Sequence, residues 1–504
     1  MIKEIVKNNR FALKAYYYLN DSINHLKSIR LKYAYKNAKH PSITEHQAVK
    51  YNLHRVNGPQ KLLCNAPFTS LFINMNGNVN VCGYNKTFII GNLNETTLNE
   101  IWKGVKHQQL MDSIKNFDLS NGCQSCQQRI ETEDYHRAAI YFDTPKADNN
   151  FHLKKITFEL SNLCNLECVM CNGELSSLIR KNVEKRAPLK LYSFDQLSEQ
   201  LTIFIPNLQF VQFLGGEPLL IKSYYDIWNK IISANPTCTI SVQINGTVLP
   251  QNFIKLLDNS NQFIISVSID SFNKENYERI RINGNFEALM NNFKTLYNYK
   301  KLQKIELSIN FVPMTWNWKE IPVAVEFANK HTIMLSMCEV DSPFEFSFYS
   351  ISSTELENII QYLNDNRPKD NSNIYEIQNL KLYKNQEIQI HHIYKLVKKS
   401  EEMFDLKISN ETVSSAEKKY DYNTSQLPVY NEKIKEYLNV NFKDKIKHES
   451  PNVRLQLLNE FNRYHSIRTS FFKQNKIDYI ETENFEGLVI NELKSVIKTI
   501  FQKG

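Results

Sequence analysis

Lys155-Ile-Thr-Phe-Glu-Leu160, followed by Ser161-Asn-Leu-Cys164-Asn-Leu-Glu-Cys168-Val-Met-Cys171, is the stretch on which the fold turns. The first six residues carry β-formers and read as a strand. The cysteines follow at once, so they occupy the loop at that strand's carboxyl end. Three and then two residues separate them. Three thiolates on one tight loop suit a [4Fe–4S] cluster with one iron left open, because a closed cluster or a structural zinc site takes four protein ligands. The competing reading is zinc completed by a distant ligand such as His152.

Downstream of this loop the pattern alternates strand and helix. Strands are expected at Lys155–Leu160, Phe210–Phe213, Thr239–Ile244, Phe263–Ile269, Ile305–Val312 and Thr332–Met337. Helices are expected at Tyr224–Ser233, Asn252–Leu257 and Phe286–Tyr297. Such alternation predicts an α/β fold with a parallel sheet and a site at the carboxyl ends of the strands. The connection 161–209 is long and is expected to hold two helices besides the cysteine loop.

Upstream lies a second cysteine set, Cys64, Cys82, Cys123 and Cys126. Leu71-Phe72-Ile73 and Val79-Asn80-Val81 flank Asn76-Gly77, a hairpin signal that brings Cys64 and Cys82 together. Thr97 to Lys115 reads as one helix, and Cys123-Gln-Ser-Cys126 as a turn. Four thiolates would close either a cluster or a zinc tetrahedron, and spacing alone does not choose between them.

The ends of the chain say less. Phe11, Leu13, Tyr16, Leu19, Ile23, Leu26 and Ile29 recur at helical steps. Ser353–Leu363, Ile390–Lys398 and Phe485–Phe501 also read as helices. Phe461–Arg468 reads as part of an amphipathic helix. The expected organisation is a helical segment at 1–50, a cluster module at 51–150, an α/β domain at 151–345 and a mainly helical region at 346–504.

The chain has 504 residues, with 61 Lys+Arg against 53 Asp+Glu, a formal charge of +8. So small a charge on so long a chain does not indicate a nucleic-acid partner. No run approaches the ~18–20 apolar residues of a membrane span, and no leader peptide is visible, so a cytoplasmic protein is expected. Seven of the nine cysteines fall in the two patterned sets, which favours metal ligation over disulfides.

The triad resembles the signature of the radical SAM superfamily. That resemblance implies a partial (β/α)6 barrel and a cluster whose open iron chelates S-adenosylmethionine. One electron then cleaves the cofactor to a 5′-deoxyadenosyl radical, which abstracts a substrate hydrogen. Leu214-Gly215-Gly216-Glu217-Pro218-Leu219 looks like the family's Gly-Gly-Glu-Pro segment, which supports the cofactor's amino group. Ser266-Val-Ser268-Ile-Asp270 matches the fourth-strand pattern, with Ser268 toward the methionine or ribose. Asn245 ends the third strand, where a polar residue near the cofactor is common. Its alternative is a plain turn with Gly246 and Thr247. Arg281 and Asn310 sit where relatives contact the carboxylate and the ribose or adenine. Met170 replaces the usual aromatic residue before the third cysteine, and a thioether can pack on adenine.

The upstream set resembles the auxiliary-cluster module called twitch, a shortened relative of SPASM. The resemblance implies one auxiliary [4Fe–4S] cluster, since Gln127 to Asn150 holds no further cysteine. The module precedes the barrel here, whereas in most relatives it follows. An electron-handling role is implied, with a peptide or a carbohydrate-like small molecule as substrate and a flavodoxin- or ferredoxin-like donor. Zinc in this set within a non-catalytic scaffold is the alternative. Cys238 and Cys338 read as buried small hydrophobes, although Cys338 could also near the cavity mouth.

Overall fold

A computed structural model describes residues 34–411, except 56–57, 132–134, 136–142, 144, 195–196, 341–342 and 370–372. The helices expected at Phe11–Ile29 and Phe485–Phe501 and the run Phe461–Arg468 lie outside the described residues.

Among the described residues, nine strands form one sheet in the order β3-β2-β1-β4-β5-β6-β7-β8-β9. β1 is Ser70–Asn74, β2 Asn78–Asn80 and β3 Gly91–Asn92. β4 is Lys155–Glu159, β5 Phe210–Phe213, β6 Thr239–Ile244, β7 Phe263–Ser268, β8 Ile305–Phe311 and β9 Met334–Met337. β4 to β9 are the six strands expected from the alternation, each within two residues of its expected bounds at either end. The hairpin is not separate from them: β1 pairs in parallel with β4, Phe72 opposite Thr157 and Asn74 opposite Glu159. β1 pairs antiparallel with β2, and the turn between them has Gly77 at φ +78. A side chain there would meet the Tyr192 ring at 3.1 Å, so the turn requires glycine on two grounds.

Three expectations need correction. The helix expected over Thr97–Lys115 is two helices, Leu98–Lys103 and Val105–Lys115, broken at Gly104, whose extended backbone caps both. Cys123-x-x-Cys126 is not a free turn but runs into the helix Gln124–Glu131. The described residues of the connection 161–209 form no long helix. They include a π-turn at Ile179–Val183, one turn at Leu197–Gln200 and a 3-10 turn at Ile205–Asn207. Pro188 and Pro206, which an α-helix tolerates only in its first turn, punctuate that segment. In the region after 346, Ser353–Asp365 is helical, and the expected Ile390–Lys398 is part of one helix, Ile374–Glu411. No helix among the described residues is long and apolar enough to cross a membrane.

The chain divides into two compact units. The first takes the described residues up to Asn165, with Asn172–Ser266 and Met290–Leu307. The second takes Leu166–Cys171, Val267–Leu289 and the described residues from Ser308. In the first, Phe158 of β4 packs on Phe213 of β5 at 5.2 Å between ring centroids, and Phe213 on Trp228 at 5.4 Å. Trp228, on the helix Lys222–Ala234, also meets Phe253 and Phe263 and is fully buried. Trp228→Ala is expected to cost about 3–5 kcal/mol, read by urea unfolding, because a cavity that large among rigid rings cannot collapse.

Candidate active site

In the first unit, the upstream cysteines come from three places. Cys64 precedes the short helix Ala66–Thr69, Cys82 follows β2, and Cys123 and Cys126 bracket the start of the helix Gln124–Glu131. All four line one cavity, whose apolar wall includes Ile114, Leu119 and Ile130. None of the nine cysteines is in a disulfide. Burial pushes the Cys82 thiol up to about 12, and pushes Cys64 and Cys123 up as well. Thiolates there therefore need a cation to pair with.

N–H groups are already aimed at the sulfurs. The Ala66 amide donates to Cys64 Sγ at 3.4 Å, and the Asn85 amide to Cys82 Sγ at 3.3 Å. Asn85 Nδ2 donates to Cys123 Sγ at 3.3 Å and to the Asn121 carbonyl at 2.9 Å. Asn85 was not singled out from sequence; its place three residues after Cys82 is the only signal it carries. Beside it Gly122 has φ +75, and a side chain there would lie 2.1 Å from Asn85 Oδ1. Asn85→Leu is expected to weaken retention of iron by this set about 10–100-fold, the usual loss when a ligand's own partner is removed. Chelator challenge of the loaded chain measures it.

These four residues fit an iron–sulfur cluster: all four thiols are free, they line one cavity, and three of the sulfurs already receive N–H donors.

The loop into Cys164 is locked from below by the Gly-Gly-Glu-Pro segment. The Gly216 amide donates to the Ser161 carbonyl at 2.9 Å, and the Glu217 amide to the Leu163 carbonyl at 2.7 Å. Gly215 has φ +113, and a side chain on it would come within 2.5 Å of the Ser161 oxygen. On Gly216 it would come within 2.2 Å of the Leu163 oxygen. Both glycines are thus explained by close approach of two backbones. The Glu217 carboxylate is buried and accepts from the Leu219 and Asn245 amides at 3.1 and 2.7 Å. It ties the end of β6 to the turn, and Pro218 opens the 3-10 turn Pro218–Leu220.

Asn245 is more than a plain turn residue. Its Oδ1 accepts from the amide and hydroxyl of Thr247, and its Nδ2 donates to Asn165 Oδ1 at 2.8 Å. Asn165 Nδ2 donates to the Thr247 hydroxyl at 2.9 Å. This network grips the residue next to Cys164. Cys164's own amide donates to Ser177 Oγ at 3.3 Å.

In the second unit, the segment Leu166–Cys171 is pinned through its backbone. The Glu167 amide donates to the Ile282 carbonyl and the Val169 amide to the Ile280 carbonyl, both at 2.9 Å. The Cys171 amide donates to the Cys168 carbonyl at 3.0 Å. Met170 packs against a buried apolar cluster of Ile280, Met314, Val340 and Phe346. Arg281 has its Nε and Nη2 on Asp270 Oδ2, both at 2.6 Å, and its Nη1 3.8 Å from Cys168 Sγ. Ser268 ends β7 and is buried, and the Asn310 carbonyl on β8 accepts from the Ile269 amide at 2.9 Å.

Outside these groups, His152 is engaged by Asp148, its Nδ1 3.0 Å from Oδ2. Cys238 is buried as expected, but Cys338 is exposed because β9 already ends at Met337.

Residues 158–328 match the model of the Radical SAM superfamily, and residues 64–127 that of an iron-sulfur cluster-binding domain, SPASM. The chain therefore carries a radical SAM domain with a SPASM-type domain ahead of it, and its cofactors are [4Fe–4S] clusters and S-adenosylmethionine. The second match contains all four upstream cysteines. Among curated proteins, the chain is 26% identical over 208 residues to a "Probable GTP 3',8-cyclase" of Methanocaldococcus jannaschii, covering 41% of this chain and 66% of that one. It is 26% identical over 191 residues to a protein of the same name from Methanococcus maripaludis, covering 37% and 59%. The chain thus spans less than two thirds of these relatives' length. Among solved structures, Streptococcus suis SuiB bound to precursor peptide SuiA aligns with a TM-score of 0.32 at 16% identity, covering 48% of this chain and 58% of that one.

Proposed function

We propose that this chain is a radical enzyme that cleaves S-adenosylmethionine reductively at a [4Fe–4S] cluster held by Cys164, Cys168 and Cys171. The spacing of these three residues, on the loop directly after β4, carries the reading. The bound cofactor supplies a 5′-deoxyadenosyl radical that takes a hydrogen from substrate. The chain's own residues bind and orient. Gly215, Gly216, Glu217 and Pro218 shape the backbone that receives the cofactor's amino group. Asn245, Ser268 and Asn310 offer polar contacts to its methionine and ribose, and Met170 an apolar one to adenine.

Cys64, Cys82, Cys123 and Cys126 hold an auxiliary cluster. Four protein thiolates would leave no iron open to substrate, so a cluster held there would supply electron transfer. That suits oxidation of a carbohydrate-like metabolite or cross-linking of a peptide residue. The electron for cofactor cleavage comes from a flavodoxin- or ferredoxin-like protein in the cytoplasm. The choice of substrate class is tested by deuterium transfer into 5′-deoxyadenosine from labelled peptide or sugar.

Serine at Cys64 and Cys126 together tests the division of labour. Iron in the reconstituted chain should fall from roughly eight to roughly four per chain, with 5′-deoxyadenosine still formed. Unchanged iron would show that these residues hold no cluster.

A further inference from the structure

The Arg281 guanidinium lies where it can act on the cluster itself. Three of its features are independent. It is buried, and Asp270 Oδ2 takes both its Nε and Nη2 at 2.6 Å, fixing the plane of the fork. Asp270 is in turn fixed, its Oδ1 accepting from the Val312 amide at 2.9 Å. The remaining side of the fork presents Nη1 to Cys168 Sγ at 3.8 Å. A guanidinium keeps its charge at any working pH, so this is a permanent donor against one sulfur.

A second buried donor stands nearby. Tyr277, on the helix Lys274–Ile280, is fully buried, and its hydroxyl has no hydrogen-bond partner among the described residues. Its own carbonyl accepts from the Arg281 amide at 2.7 Å, which places it one helical turn before Arg281. A buried hydroxyl without an acceptor is costly, and a cluster's sulfurs are acceptors. The residues around Cys168 therefore fit an anionic iron–sulfur group.

We propose that Arg281, held by Asp270, is a positioning residue that donates to the Cys168 thiolate and raises the reduction potential of the cluster on the triad, with Tyr277 as a second donor. This rests on the assignment of Cys168 as a cluster ligand. Reduction adds negative charge to the cluster. A fixed cation and an N–H···S bond stabilise the reduced form more than the oxidised one. The role differs from the carboxylate contact expected from sequence, for which the Asp270-bound edge of the fork is already committed.

The test is a redox titration of the full chain with both clusters loaded, followed by EPR. Arg281→Met should move the midpoint of the triad cluster to more negative potential and leave that of the upstream cluster in place. Tyr277→Phe should move it the same way by less. Where Arg281→Met fails to load, Arg281→Lys reads the same quantity, since lysine keeps the charge but loses the fork. Native midpoints in the loaded arginine variant and in Tyr277→Phe overturn the proposal. Weaker S-adenosylmethionine binding at an unchanged midpoint also overturns it, and assigns Arg281 to the cofactor's carboxylate. A native chain with only the upstream cluster would instead overturn the ligand assignment beneath it.

Discussion

Serine at Cys164, Cys168 and Cys171 together is expected to reduce 5′-deoxyadenosine formation to background while leaving roughly four irons per chain. A hydroxyl is a far poorer ligand for iron than a thiolate, and the loop offers no replacement. Its other polar side chains are engaged: Ser161 by the Leu163 amide, Asn162 by Gly173, Asn165 by the Asn245–Thr247 pair and Glu167 by Asn283. Without these thiolates the loop could not hold the cluster that would bind and reduce the cofactor. The four upstream cysteines stand apart in sequence and keep their own cavity. The iron count therefore separates loss of one site from loss of the fold. A chain that loses all its iron would mean that the two sites fold as one.

Gly216→Ala is expected to be nearly as severe, although it touches no sulfur. The added methyl would lie 2.2 Å from the Leu163 oxygen, 2.5 Å from its carbonyl carbon and 2.7 Å from the Asn162 carbonyl carbon. All three are backbone atoms, so no side chain can swing aside. Relief requires parting the turn from the cysteine loop, which breaks the bonds from Gly216 to Ser161 and from Glu217 to Leu163. Overpacking of this kind costs about 1–3 kcal/mol, and here it falls on the residue before Cys164. Iron should drop toward that of the serine variant and 5′-deoxyadenosine should fall with it. Gly83→Ala is the control. Its methyl would meet only the Phe72 ring, at 3.7 Å, an ordinary contact, and iron and activity should stay native.

Strands β4 to β8 were legible because each is a short run rich in β-branched and aromatic residues, and β9 because Thr332 and Ile333 lead into it. The triad was legible because its ligands lie within eight residues of chain. What was not legible depends on partners far away in sequence. Asn85 gains its importance only when Cys123, 38 residues on, is folded against it. Arg281 faces Cys168 across 113 residues. The pairing of β1 with β4 needed the whole sheet. Glu217 was legible as part of a motif but not as a brace. Its two oxygens are spent on backbone amides, Leu219 in the following 3-10 turn and Asn245 at the end of β6, which no pattern in one sequence reveals.

The central claim is that this chain turns S-adenosylmethionine into a radical. Anaerobic reconstitution, verification of both clusters by iron count and EPR, and quantification of 5′-deoxyadenosine after adding dithionite and S-adenosylmethionine address it most directly. The native chain should yield 5′-deoxyadenosine and the triad-serine chain background levels. Two verified clusters with no 5′-deoxyadenosine above that background would contradict it.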